Sequence, residues 1–256
     1  MSGIRTIVRE VAPGVHWFFG SGRAAHSYLL RGSRRVVLVD TGLPTTTAYL
    51  EACLATLGLK PQDLDLVLLT HEHIDHSGGA TFFGRHCIVG AHPQAANKLE
   101  MGDDFSMMSN AFAETATAYA PDLMLVEGSG VDLGGLHLDV VHTPGHCSGS
   151  VCLYESRNRL LISADTIMAR GVLGGVLLSG NVSDYMSSLH KLQRLRVDVL
   201  LPGHGKLSKE PQADLEVGIS RLRGMLEDSH ALFTAMRGTD LGFDDISRSL
   251  RDLNTL

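Results

Sequence analysis

His71, His73, Asp75 and His76 put four metal-ligand side chains within six residues, in the run Thr70-His71-Glu72-His73-Ile74-Asp75-His76. Alternate side chains of an extended segment share one side, so His71, His73 and Asp75 are expected to point together. His76 follows where a helix can begin. A mixed imidazole and carboxylate set suits Zn²⁺, Fe or Mn rather than Ca²⁺ or Mg²⁺. Glu72 occupies a spacer position and is not expected to bind. Three isolated residues extend the pattern. His146 lies in Thr143-Pro144-Gly145-His146, Asp165 in Ser163-Ala164-Asp165-Thr166, and His204 in Pro202-Gly203-His204-Gly205, each after a segment that reads as a strand. Loops at strand ends let a rigid sheet gather ligands from distant positions. Taken singly, these residues read equally well as a turn histidine, a helix-capping aspartate and a loop histidine.

The elements that must position them alternate. Strands are predicted over 4–11, 15–19, 26–30 and 35–39, separated by Pro13-Gly14, Gly20-Ser21-Gly22 and Gly32-Ser33. Asp40-Thr41-Gly42 ends a strand, and Thr45 is the expected cap of a helix to about Leu57. The apolar run 64–69 predicts a buried strand that delivers the His-rich run at its C-terminal end. A strand at 87–90 and a helix from Pro93 follow. The segment 101–121, with Met101, Phe105, Met107, Met108, Phe112 and Tyr119, reads as one or two helices in a long insertion. Strands are expected again at 123–126, 136–142, 150–154 and 160–163. Ser183 is the expected cap of a helix with the stripe Met186, Leu189, Leu192 and Leu195, and a last strand covers 197–201. From Pro211 the tail is helical, divided at Gly238 and Gly242, with the stripe Leu215, Ile219, Leu222, Leu226 and Phe233 docking on its own domain. Two halves of alternating strands and helices predict an α/β (α+β) fold, a four-layer αβ/βα sandwich of two mixed β-sheets with outer helices. Its main unit is expected over 1–210, with a helical extension over 211–256.

The 256 residues carry a net charge of −6, with 44% apolar and 20% charged residues. That balance is ordinary for a globular domain and argues mildly against a nucleic-acid partner, which usually demands a basic face. No apolar run reaches the ~18 residues that cross a bilayer, and the N-terminal residues lack the apolar core of a secretion signal. The expected location is the cytoplasm. Cys53, Cys87, Cys147 and Cys152 show no C-x-x-C spacing and are expected to be free thiols. Cys147 adjoins His146 and is expected to fill space beneath the ligand loop.

In sequence order, H-x-H-x-D-H, then an isolated His, Asp and His, preceded by Val39-Asp40-Thr41-Gly42, resemble the metallo-β-lactamase superfamily over about 15–205. The resemblance implies that His71, His73 and His146 hold a first metal and Asp75, His76 and His204 a second, with Asp165 bridging. It also implies that Asp40 supports the loops. The implied cofactors are two divalent ions, Zn²⁺ first, with Fe or Mn compatible. The implied nucleophile is a water bridging the metals, deprotonated near neutral pH. Asp75 and His76 are the expected catalytic residues, with Asp75 orienting the nucleophile or shuttling its proton.

Within the superfamily, His73 departs from the diiron flavoproteins, which have Glu there. The full ligand set departs from the mono-iron persulfide dioxygenases. Met168 replaces the Tyr common in acyl-homoserine lactonases. Arg170 and Tyr185 lie in the region where glyoxalase II enzymes hold glutathione, but a surface Arg and a packing Tyr fit equally. The expected activity is cleavage of a thioester, ester or lactone of a small molecule. Endoribonuclease or phosphodiesterase chemistry, a persulfide-dioxygenase-like enzyme, and a metal-bound binding or signalling protein are the alternatives. The insertion 101–121 is weighed equally as an acyl-pocket lid and as core packing. The tail leaves a homodimer open.

Overall fold

The computed structural model describes residues 4–236. Two sheets face each other. The first has seven strands in sequence order: β1 (Val8–Ala12), β2 (Val15–Phe18), β3 (Ser27–Arg31), β4 (Val36–Val39), β5 (Leu66–Leu68), β6 (Ile88–Ala91) and β7 (Leu123–Met124). Neighbours are antiparallel from β1 to β4 and parallel from β4 to β7. The second sheet contains β8 (Gly130–Asp132), β9 (His137–His142), β10 (Val151–Glu155), β11 (Leu160–Ala164) and β12 (Val199–Pro202), in the order β12-β11-β10-β9-β8. Only its β11–β12 pair is parallel. The short strand β8 is absent from the sequence expectation.

The helices are α1 (Thr47–Thr56), α2 (Ile74–Ser77), α3 (Ala80–Phe83), α4 (Pro93–Met101), α5 (Ser109–Phe112), α6 (Val182–Leu192) and α7 (Pro211–Met236). Period-two alternation sorts the strand residues into layers. Tyr28, Leu30, Val37, Val39, Leu66 and Leu68 turn inward against Leu138, Val140, Leu153 and Ile162 of the second sheet. Leu29, Leu38 and Val67 turn outward, onto Leu50, Leu54, Phe83 and Leu99 of the helices. On the far side, Cys152, Leu161 and Leu200 meet Tyr185, Leu189 and Leu192 of α6 and Leu215, Ile219 and Leu222 of α7. Each fully buried Leu contributes roughly 1.5–3 kcal/mol. The four-layer αβ/βα sandwich follows from burial on both faces of both sheets.

Four local expectations change. Thr45 does not cap α1; a 3₁₀ turn at Pro44–Thr46 precedes it, and the Thr45 hydroxyl donates to Glu114. Asn181, not Ser183, caps α6 by accepting from the Asp184 amide at 2.8 Å. The one or two helices expected in the insertion reduce to a single turn, α5. On α7, Leu226 is 41% exposed, so the docked stripe ends at Leu222. Phe233, Gly238 and Gly242 lie outside the residues whose side chains are described.

Candidate metal centre

All the expected ligands gather at one edge of the sandwich, in the loops after β5, β9, β11 and β12 and in the short helix α2. The two sheets are stapled there. Val151 N donates to Thr70 O at 2.8 Å, His26 N to Gly203 O at 2.7 Å, and Tyr28 Oη to Pro202 O at 2.7 Å. The backbone is strained at the same edge. Asp40 and Ala164 adopt φ of 59° and 44°, a region non-glycine residues occupy at a cost of ~1–3 kcal/mol. Gly203 allows a close approach, since a Cβ there would fall 2.4 Å from Asp165 Oδ1 and 2.6 Å from His76 Cε1.

His71 Nε2 and His146 Nε2 lie 3.0 and 3.1 Å from His73 Nδ1. His204 Nε2 lies 3.0 Å from Asp75 Oδ2, and His76 Nε2 lies 3.8 Å from the same oxygen. Asp165 stands between the two groups, with Oδ1 3.3 Å from His76 Nε2 and Oδ2 3.8 Å from His146 Nε2. The sets His71-His73-His146-Cys147, His71-His76-Asp165 and Asp75-His76-His204 each keep one ligand atom per residue within 4.8 Å of the others. Asp75 arrives differently from the expectation. It lies in the first turn of α2, not in an extended run with His71 and His73. The helical turn carries its carboxylate away from His73 and over to His204.

The outer nitrogens determine what the inner ones can do. His76 Nδ1 donates to Asp40 Oδ2 at 2.8 Å. Thr70 Oγ1 gives its hydrogen to the same oxygen, so it accepts from His71 Nδ1 at 3.1 Å. His146 Nδ1 donates to the Gly175 carbonyl at 3.0 Å. His73 Nε2 stands 3.2 Å from Cys147 Sγ. With the outer nitrogens carrying protons, the inner nitrogens of His71, His73 and His146 turn lone pairs inward, and that of His76 does so once a cation replaces its second proton. Burial, reinforced by the neighbouring imidazoles, pushes His71 and His73 well below the usual histidine range and keeps them neutral. Burial also opposes charge on His76, but Asp165, Asp75 and Asp40 outweigh it and raise His76. Burial opposes ionisation of Asp165, yet His76 and the other imidazoles hold its carboxyl well below the usual range. His76 Nε2 and Asp165 Oδ1 are buried, and beyond the 3.3 Å contact between them neither has a hydrogen-bond partner. Converging lone pairs and anionic oxygens repel unless a cation lies among them, so the donor set fits divalent metal ions.

Several supporting residues were not singled out from the sequence. Glu72 is fully buried, and its Oε1 takes Lys98 Nζ at 2.5 Å and Ser179 Oγ at 3.1 Å. Lys98 also donates to Ser148 Oγ, which ties α4 to the loops on both sides of the site. His26 accepts from Gly20 N at Nδ1 and donates from Nε2 to Gly205 O, both at 2.9 Å. Burial lowers its pKa to about 4. An acidic spacer between two ligands was the one sequence signal for the Glu72 pair; nothing marked Lys98 or His26. Tyr185 is a packing residue whose hydroxyl donates to the Asp165 and Thr166 carbonyls, and Arg170 is exposed. Met107 is 2% exposed in the helix-side core, and its carbonyl accepts from Ile74 N. That residue supports α2 rather than lining a lid.

A family model for the metallo-β-lactamase superfamily matches residues 20–204. The chain belongs to the metallo-β-lactamase superfamily. It is a metallo-hydrolase of this superfamily, with a histidine and aspartate cluster able to bind metal ions. It is 32% identical over 224 residues to acyl-coenzyme A thioesterase MBLAC2 of Gallus gallus, covering 77% of this chain and 79% of that one. The Homo sapiens protein of the same description is 31% identical over 77% of this chain and 80% of its own. Among solved structures, a metallo-β-lactamase family protein of Thermus thermophilus superposes with a TM-score of 0.75. It is 27% identical, with 87% of this chain and 84% of that chain covered.

Proposed function

We propose that the protein hydrolyses acyl thioesters, with coenzyme A as the carrier thiol, at a two-metal centre. The observation that carries the metal centre is the inward convergence of four imidazole nitrogens with Asp75 and Asp165. The thioester is supported by the chicken and human relatives described as acyl-coenzyme A thioesterases.

His71, His73 and His146 would hold one ion, Asp75, His76 and His204 the other, and Asp165 would contact both. Zn²⁺ is the first choice for such ligands, with Fe or Mn acceptable to the same donors. Two divalent ions there would acidify a water and polarise the thioester carbonyl. The chain's own residues supply the rest. Asp40 and Gly175 hold His76 and His146 in the tautomers that face inward. Asp75 is 4% exposed and lies beside His76 and His204, where its carboxylate can orient the attacking water and carry away its proton. Cys147 takes no nucleophilic part. Burial and the nearby Glu72 push its thiol far above the usual range, and a neutral thiol is a poor nucleophile.

The test is metal reconstitution followed by hydrolysis of an acyl-CoA, a lactone, a phosphodiester and a β-lactam. The expected result is turnover of the acyl-CoA at least tenfold above the others in kcat/KM. Phosphodiester turnover without thioester turnover would overturn the proposal.

A further inference from the structure

A groove of about 730 Å³ opens beside the metal-bearing edge, between β1, β2 and the segment after His204. Its apolar wall is Ile7, Trp17, Phe19 and Leu207. Ile7 and Phe19 are 48% and 38% exposed. Arg9, Lys206 and Lys209 stand on its rim, against a single carboxylate, Glu10, which already accepts from Gly14 N. Among the described residues, neither lysine has a hydrogen-bond or ion-pair partner, and Arg9 has only the Trp17 ring, 5.9 Å away. Three cations clustered on a chain of net charge −6 are a local excess that a polyanion would complement.

The groove lies beside the metal centre. Lys206 is two residues beyond His204. A row of rings links the two places, with Phe19 4.7 Å and Trp17 5.0 Å from His26, and His26 6.5 Å from His204. His26 is fixed as a neutral ring between Gly20 N and Gly205 O, so this wall is rigid. A ligand whose reacting carbonyl sits at His204 would reach the cationic rim by passing over Phe19. The volume falls within the ~300–1,000 Å³ range of small-molecule sites.

We infer that this groove binds the phosphorylated nucleotide end of the carrier thiol in an acyl-CoA substrate, with Arg9, Lys206 and Lys209 facing its phosphates. The occupant rests on the thioesterase proposal; the preference for a polyanion rests on the groove itself.

The experiment uses Lys206→Glu/Lys209→Glu, both exposed positions, in the full chain. Free coenzyme A is titrated against the fluorescence of Trp17, the sole tryptophan. In parallel, kcat/KM is compared for an acyl-CoA and for the same acyl group on N-acetylcysteamine, which carries no phosphate. Coenzyme A is expected to change the fluorescence saturably, more weakly at high salt. Charge reversal should weaken that binding about tenfold and lower the acyl-CoA to N-acetylcysteamine ratio by about the same factor. Unaltered coenzyme A affinity together with an unaltered ratio would overturn the inference. So would a charge-reversal effect confined to an acyl-phosphopantetheine on a carrier protein. If no thioester is turned over but coenzyme A binding still falls on charge reversal, the groove assignment stands and the thioesterase proposal fails.

Discussion

Asp40→Asn perturbs the centre without replacing any of the expected ligands. Asp40 accepts three hydrogen bonds of 2.8 Å, from Thr70 N at Oδ1 and from Thr70 Oγ1 and His76 Nδ1 at Oδ2. Asn tolerates the left-handed φ of 59°, so the backbone is not the variable. The variant amide has one acceptor and one donor end. With the donor end at the Oδ2 position it opposes His76 Nδ1–H, and His76 must move its proton to the nitrogen that faces the metal. With the donor end at the Oδ1 position it opposes Thr70 N–H. Either arrangement places donor against donor in a site where Asp40 is 2% exposed, a cost of about 1–3 kcal/mol. Loss of such a supporting carboxylate lowers metal affinity about 10–100-fold, or ~1.4–2.8 kcal/mol. The metal-free protein should melt roughly 2–12 °C lower. Chelator competition should show the His76 site weakened and the site around His73 retained. Wild-type affinity at both sites would refute the tautomer argument.

Three further outcomes follow from the same geometry. Cys147→Ala removes the partner of His73 Nε2 and should weaken the first metal about tenfold, with Cys147→Ser recovering part of it; equal affinities in chelator titrations would contradict this. Lys98→Met strands the buried Glu72 carboxylate and should cost about 3–5 kcal/mol in urea unfolding, with Glu72→Gln in the same chain restoring part; no loss would show that the pair is not stabilising. Burial depresses His26 from 6.5 to about 4, so its stabilisation is complete above pH 6.5 and is lost as pH falls toward 4, about 3 kcal/mol in all. The difference in Tm between wild type and His26→Leu should therefore shrink across that window, and a constant difference would refute it.

The layer order was legible because both faces of each sheet are buried, so period-two runs such as Tyr28-Leu29-Leu30 identify strands between two apolar layers. Element ends were less legible. Thr45 and Ser183 have capping side chains, but Pro44 sets the turn before α1 and Asn181 captures the α6 amides first. All seven ligand-type residues were visible in the motif spacing. The direction of Asp75 was less so, because an extended reading points it with His71 and His73 whereas the chain turns helical at Ile74. The supporting groups were hidden for a different reason. Lys98 is 26 residues from Glu72, and His26 lies 179 from Gly205, so only the folded chain pairs them. The insertion's Met and Phe residues looked alike in sequence, yet Met107 is buried while Met101 and Phe105 are 70% and 66% exposed.

The central claim is that two metal ions held by this ligand set carry out thioester hydrolysis. Metal content per chain, measured alongside acyl-CoA turnover as Zn²⁺ is titrated into the stripped protein, tests it directly. The account predicts two ions per chain and activity that reaches its plateau only as the second fills. One ion at full activity, or turnover by the stripped protein, would contradict it.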